Sequence, residues 1–135
     1  MAETDNDLEK AQFLKQFEAG RYLKSIRANR PLSAVCKELG VSTAYVSQVE
    51  QGKMPSDHFL SVVARVYEID EDDLFFRWGK IPILAQQVVK ENKRLLDTLT
   101  EIGRNKKLTD EQKDRLYDSM YNAYNDFIEE IKSEG

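Results

Sequence analysis

The sequence predicts an all-α protein in two parts, a head of five short helices and an antiparallel helical hairpin over residues 81–135. Three observations lead to this prediction. No stretch alternates apolar and polar residues with the period of two that marks a β-strand. Apolar residues recur three and four positions apart instead. Glycine, proline, serine and threonine stand where these runs begin and end, as helix caps do.

The first helix is predicted from about Leu14 to Ala28. Residues 1–9 carry four acidic side chains and no basic one. Residues 1–10 are therefore expected to be a flexible acidic N-terminus, and they lack the apolar core of a signal peptide. Pro31 ends the first helix or begins the next, because proline is tolerated only in a first helical turn.

The second and third helices are predicted at residues 33–39 and at about 43–51. Gly40 suits the left-handed conformation that closes a helix, and Ser42 is a suitable N-cap for the helix that follows. Gly52 closes the third helix. The outer face of that helix is polar apart from one alanine and one aromatic ring, and it consists of Thr43, Ala44, Tyr45, Ser47 and Gln48.

Two more helices complete the head. Ser56 and Asp70 are the expected N-caps, and the fifth helix runs from Glu71 to about Trp78. We expect residues 11–80 to form one core from apolar side chains at helical spacing. The predicted core residues are Phe17, Leu23, Val35, Val46, Val49, Leu60, Val63 and Trp78.

The hairpin is predicted from two long helices, the first from Pro82 to about Ile102 and the second at residues 110–132. Thr109 and Gln112 have the spacing of a capping box at the start of the second helix. Two helices cannot bury both of their apolar stripes against each other, so a second copy is expected to cover them, with Asn92 setting the register. The predicted dimerisation residues are Val88, Leu95, Leu99, Ile102, Met120, Tyr124 and Phe127.

Charge is distributed unevenly along the chain, although the net charge is −4. Residues 10–53 carry eight Lys and Arg side chains against three Glu, which favours an anionic partner there. No apolar run approaches the ~18 residues of a membrane span. The single cysteine indicates a reducing cytoplasm, because it cannot form a disulfide within the chain. Since the chain has only one cysteine and one histidine, no metal site, cofactor or enzymatic site is expected.

The segment ELGVSTAYVSQVEQGKMPS, residues 38–56, resembles the helix-turn-helix of the lambda-repressor and Cro-type (xenobiotic-response-element) regulators. The resemblance covers about residues 20–80. It implies that the third helix enters the major groove of DNA and that its outer side chains reach the base edges. The DNA-contacting residues that it implies are Ser33, Ser42, Thr43, Ala44, Tyr45, Ser47, Gln48, Gln51 and Lys53.

Different roles are expected within this set. Gln48 is expected to pair with adenine, and Thr43 and Ala44 to touch a thymine methyl group. Tyr45 is expected at a phosphate or a base methyl, while Ser33, Ser47 and Lys53 are expected at phosphates, which position a protein without reading sequence. The resemblance also implies a partly buried ion pair between Arg27 and Glu50. The family often has a glutamine where this chain has Leu32-Ser33-Ala34, so Ser33 is the polar candidate there.

The function predicted from these features is a sequence-specific transcriptional regulator, a repressor that binds a two-fold operator as a homodimer. The alternative is an antitoxin or another regulator whose C-terminal helices bind a different protein. The hairpin folding back onto its own head remains a further possibility at this point.

Overall fold

The computed structural model describes residues 5–135, and for Asp5 it describes the backbone alone. The described chain is all-α, as predicted. Its helices are α1 (Asp5–Arg27), α2 (Leu32–Leu39), α3 (Thr43–Glu50), α4 (Asp57–Tyr67), α5 (Glu71–Arg77), α6 (Ile83–Glu91), α7 (Lys93–Arg104) and α8 (Asp110–Glu134). They fall into two compact units, of which the first ends at Val88 and the second comprises Val89–Gly135.

The first unit is built around one apolar core to which α1–α5 all contribute. Leu60, Leu74, Phe75 and Trp78 have no exposed surface, and Val35 and Val49 are buried beside them. Seven of the eight predicted core residues are therefore buried. Phe17 is the exception at 42% exposed, because the helical register turns Ala19 and Gly20 of α1 toward the head instead.

Helix α1 begins at Asp5, so the predicted start near Leu14 is wrong. Two glutamines tie this early part of the helix to the head. The Gln12 side-chain amide donates to the Trp78 carbonyl at 3.4 Å, and that of Gln16 donates to the Gly52 carbonyl at 3.2 Å. Residues 5–10 of the predicted flexible N-terminus are thus helical, and residues 1–4 lie outside the described part.

The long helix predicted from Pro82 to Ile102 is interrupted at Asn92, which has extended backbone angles. Its side-chain oxygen accepts a hydrogen bond from the Leu95 backbone N–H at 2.9 Å, so Asn92 is the N-cap of α7. The prediction of one continuous helix is therefore wrong, and the role of Asn92 in setting the register of a dimer stays a prediction.

Helix α6 begins within the first unit. Lys80 forms an ion pair with Asp57 at 2.6 Å, and the Gln86 side chain of α6 donates to the same carboxylate at 3.5 Å. The border between the units at Val88 therefore falls eight residues after the Lys80 border predicted from the sequence.

The second unit contains α7 and α8, and neither helix has a buried residue in the single chain. Thr109 and Gln112 form the predicted capping box, with bonds of 3.1 and 3.0 Å. The antiparallel packing of a hairpin stays a prediction. Among the described helices, none is long and apolar enough to cross a membrane.

Candidate nucleic-acid interface

The helix-turn-helix geometry is built by two local signals in the predicted places. Gly40 ends α2 with φ of 73°, and its N–H donates to the Cys36 carbonyl at 2.8 Å. Ser42 then caps α3, its hydroxyl oxygen accepting the Tyr45 N–H at 3.1 Å. Val46 and Val49 are the buried apolar residues of α3, so the opposite face of this helix is exposed to solvent.

The outer side of α3 carries most of the predicted contact residues. Thr43, Ala44 and Gln48 are exposed, and so are Gln51 and Lys53 after them. Ser47 is half-buried, and its hydroxyl accepts a bond of 3.1 Å from the Gln51 amide. Ser33 is exposed in the first turn of α2, and Ser42 is exposed although its oxygen serves as the cap. Whether these residues contact DNA stays a prediction.

Tyr45 differs from the free outer residue that the sequence predicted. Its ring packs edge-on against the buried Phe59, with the ring centroids 5.0 Å apart. Its hydroxyl oxygen accepts the Ser56 backbone N–H at 3.2 Å. Tyr45 is therefore half-buried and joins α3 to the start of α4, and one lone pair of its oxygen is already used.

A pair of neighbouring side chains lies at the end of α3. The Lys53 ammonium donates to Gln48 Oε1 at 3.1 Å. The same ammonium lies 5.6 Å from the centre of the Tyr45 ring, a distance typical of a cation–π contact. The sequence had assigned Gln48 and Lys53 to separate roles, whereas the structure brings them together.

The predicted ion pair between Arg27 and Glu50 is confirmed, and it is bidentate. The Nε and Nη2 groups of Arg27 donate to the two carboxylate oxygens of Glu50 at 2.7 and 2.9 Å. The hydrogen bond to Glu50 raises the pKa of Arg27 above its usual value, while burial acts in the opposite direction. Both side chains are mostly buried, so the pair anchors the last residue of α3 to the end of α1.

Two further features of this face were not predicted. An open groove of about 800 Å³ runs beside the end of α3, and the exposed cations Arg21 and Lys24 line it together with Gln51. The N-cap residue of α2 is Pro31, which makes no side-chain cap and leaves backbone N–H groups of the first turn suited to an anion. The helical spacing of Arg21 and Lys24 was a usable signal, but the groove depends on how α1 crosses α3.

The charged and polar groups of this face suit an anionic polymer rather than a metal. Within residues 5–135, no group of three His, Cys, Asp or Glu side chains is placed to hold a metal ion. Exposed amide, hydroxyl and ammonium groups on one rigid helix instead match the donors and acceptors on the base edges and phosphates of DNA.

Comparison with known proteins gives one family. A family model described as helix-turn-helix matches residues 23–74, which extend from the C-terminal end of α1 into α5. No curated protein and no solved structure matches the chain significantly.

Proposed function

We propose, from the premise that residues 23–74 are a Cro/C1-type helix-turn-helix domain of the xenobiotic-response-element family, that this chain is a transcriptional repressor binding a two-fold operator as a homodimer. The domain family is DNA-binding and non-enzymatic. Sequence-specific repression, the homodimer and a cytoplasmic location are the finer parts of the proposal.

The observation that supports sequence reading is the rigid mounting of an exposed polar helix face. Buried Val46 and Val49, the Arg27–Glu50 pair and the Tyr45–Phe59 contact hold α3 on three sides. The major groove admits one helix, and only a helix with a fixed orientation presents the same side chains to the same bases each time.

The observation that supports a homodimer is the apolar surface of the second unit. Leu99, Met120, Tyr124 and Phe127 are 38%, 40%, 61% and 58% exposed. Exposed apolar surfaces of this kind mark contact sites for another protein. A second copy of the chain suits the function, because two reading heads on half-sites about 34 Å apart bind far more tightly than one.

A different protein could cover the same apolar surface, as an antitoxin's partner would. The experiment therefore has to report the DNA sequence and the protein composition together. The full chain is incubated with random double-stranded DNA, the bound fraction is enriched and sequenced, and the mass of the purified complex is measured. The proposal expects an inverted repeat and two protein chains per DNA.

The assignment of Gln48 is tested on the enriched sequence. We expect Gln48→Ala to weaken binding by about 1–3 kcal/mol and to relax the preference at one position of each half-site, because a bidentate base contact is lost. Gln87→Ala is the matched control, since Gln87 is an exposed glutamine on α6. Unchanged affinities of Gln48→Ala for both the enriched and the random DNA would show that Gln48 does not read a base.

A further inference from the structure

The turn after α3 brings Lys53 back over the helix that it has just left. The Gly52 N–H donates to the Val49 carbonyl at 2.9 Å, and the Lys53 N–H donates to the Gln48 carbonyl at 3.0 Å. These two bonds form a Schellman motif, which requires a left-handed residue at Gly52, where φ is 110°. The backbone of Lys53 is thereby fixed against that of Gln48.

The side chain of Lys53 is held as well. Its ammonium donates to Gln48 Oε1 at 3.1 Å and lies against the Tyr45 ring. That ring is itself fixed by buried Phe59 and by the Ser56 N–H. A continuous series of contacts therefore runs from the core of the head through Tyr45 and Lys53 to the amide of Gln48.

This series fixes which end of the Gln48 amide faces outward. Oε1 is directed toward Lys53, and within the described chain the Nε2 group makes no hydrogen bond. A glutamine loses up to about 2 kcal/mol of rotamer freedom when it becomes ordered. A glutamine that is ordered before binding avoids part of that cost, which is the advantage of preorganisation.

We propose that Lys53 is a positioning residue for sequence reading, which orients the Gln48 amide so that Nε2 donates to N7 of an adenine while the second lone pair of Oε1 accepts from its N6 amino group. An amide oxygen has two lone pairs, so it accepts from Lys53 and from the base at the same time. This inference rests on the proposed function, because it needs Gln48 to lie at a base edge.

The positioning role and a plain phosphate contact predict different results. A lysine that only neutralises a phosphate raises the affinity for every DNA sequence alike. A lysine that orients Gln48 also changes the preference at the one base pair that Gln48 reads. Base preference at that position is therefore the readout, and overall affinity is not.

The experiment uses the full chain and the inverted repeat enriched from random DNA. The position read by Gln48 is located with Gln48→Ala, and four duplexes are made with each base pair at that position. Binding of the unaltered protein, Lys53→Met and Lys53→Arg is measured on all four. Methionine keeps the apolar stem of the lysine and removes the donor, whereas arginine keeps a donor.

We expect Lys53→Met to lose about fivefold or more of the preference for adenine, the lower end of what one bidentate pair contributes. Lys53→Arg should keep most of it. Lys24→Met is the matched control, because Lys24 is an exposed lysine on α1 that lines the groove and has no contact with Gln48. It should change the affinity for the four duplexes by one common factor.

A double variant separates the two roles of Lys53. In a Gln48→Ala background, Lys53→Met should affect all four duplexes equally, since no amide remains to be oriented. If Lys53→Met lowers the affinity for all four duplexes by one factor in the unaltered background, the positioning role is wrong while the proposed function stands. If no DNA sequence is enriched at all, the proposed function fails and the positioning role fails with it.

Thermal unfolding of each variant is followed in parallel. Lys53 and Gln48 are both exposed, so the folded state should survive the substitutions. If Lys53→Met nevertheless unfolds, Lys53→Gln replaces it as the variant without a cation, and the same comparison of four duplexes decides the outcome.

Discussion

At the scale of single residues, Glu50 is the clearest case of a charge whose role is set by burial. It lies at the end of α3, and its side chain is only 7% exposed. Removing one partner of a buried pair leaves the other charge without compensation. We expect Glu50→Gln to lower the stability of the head by about 1–3 kcal/mol, which thermal unfolding would register as a drop of several degrees.

The matched control is Asp73→Asn. Asp73 accepts a hydrogen bond from Arg77 at 3.0 Å, but both side chains are about half exposed. Exposed pairs of this spacing contribute a few tenths of a kcal/mol, so the melting temperature of this variant should be close to that of the unaltered protein. Equal melting temperatures for the two variants would mean that the Arg27–Glu50 pair does not stabilise the head.

Residues of the candidate site were predictable from sequence only as far as helical periodicity reaches. The period of 3.6 places Thr43, Ala44 and Gln48 on the outer side of α3, and the structure has them exposed. The same reasoning placed Tyr45 there as a free side chain. Its contact with Phe59 depends on how α4 follows the loop, and local spacing carries no information about that path.

At the scale of helices, the position of α3 depends on a close approach to α1 at Gly20. A Cβ atom added there would lie 2.6 Å from the Glu50 carbonyl oxygen and 2.7 Å from that of Val49. These are backbone atoms, which cannot rotate away. Gly20→Ala should therefore destabilise the head and displace α3, although alanine favours a helix over glycine by about 1 kcal/mol.

Two measurements check this expectation, the melting temperature and the affinity for operator DNA, and both should fall. Gly103→Ala is the control, because Gly103 lies in α7 and nothing stands within 4 Å of the added Cβ. That variant should gain stability from helix propensity alone. A Gly20→Ala protein that is as stable and binds as well as the control would refute the close-packing explanation.

Four helix starts were predictable from their local caps. Ser42, Ser56, Asp70 and Thr109 each accept the backbone N–H that their side chains were expected to accept. The start of α1 was missed because its early turns are held by tertiary bonds from Gln12 and Gln16. The break at Asn92 was missed because the apolar repeat continues through it.

At the scale of the whole molecule, the sequence indicates two parts but does not fix their border. The apolar residues Ile81, Val88, Leu95 and Ile102 recur every seven positions, which made the region look like one helix of one domain. The structure divides the chain at Val88 instead, and Gln86 of α6 donates to the Asp57 carboxylate at 3.5 Å, which ties residues beyond the predicted head to the first unit. Long-range pairing of this kind has no signature in local composition.

The apolar surface of the second unit supports the prediction that belongs to this scale. Charge placed at a buried interface is costly, so Leu95→Asp combined with Leu99→Asp should dissociate the dimer. We expect light scattering at micromolar concentration to give twice the 15.6 kDa chain mass for the unaltered protein and 15.6 kDa for the variant. The unfolding transition of the head should be unchanged, because its core is separate from α7.

Thr100→Asp is the control for that experiment, since Thr100 lies on the side of α7 away from Leu95 and the substitution adds a negative charge outside the apolar stripe. It should remain dimeric and keep its affinity for the two-fold operator, whereas the double leucine variant should bind the operator only as weakly as a single head. A mass of 15.6 kDa for the unaltered chain would reject the homodimer. The exposed residues of α8, among them Tyr124 and Phe127, would then be available to a different protein.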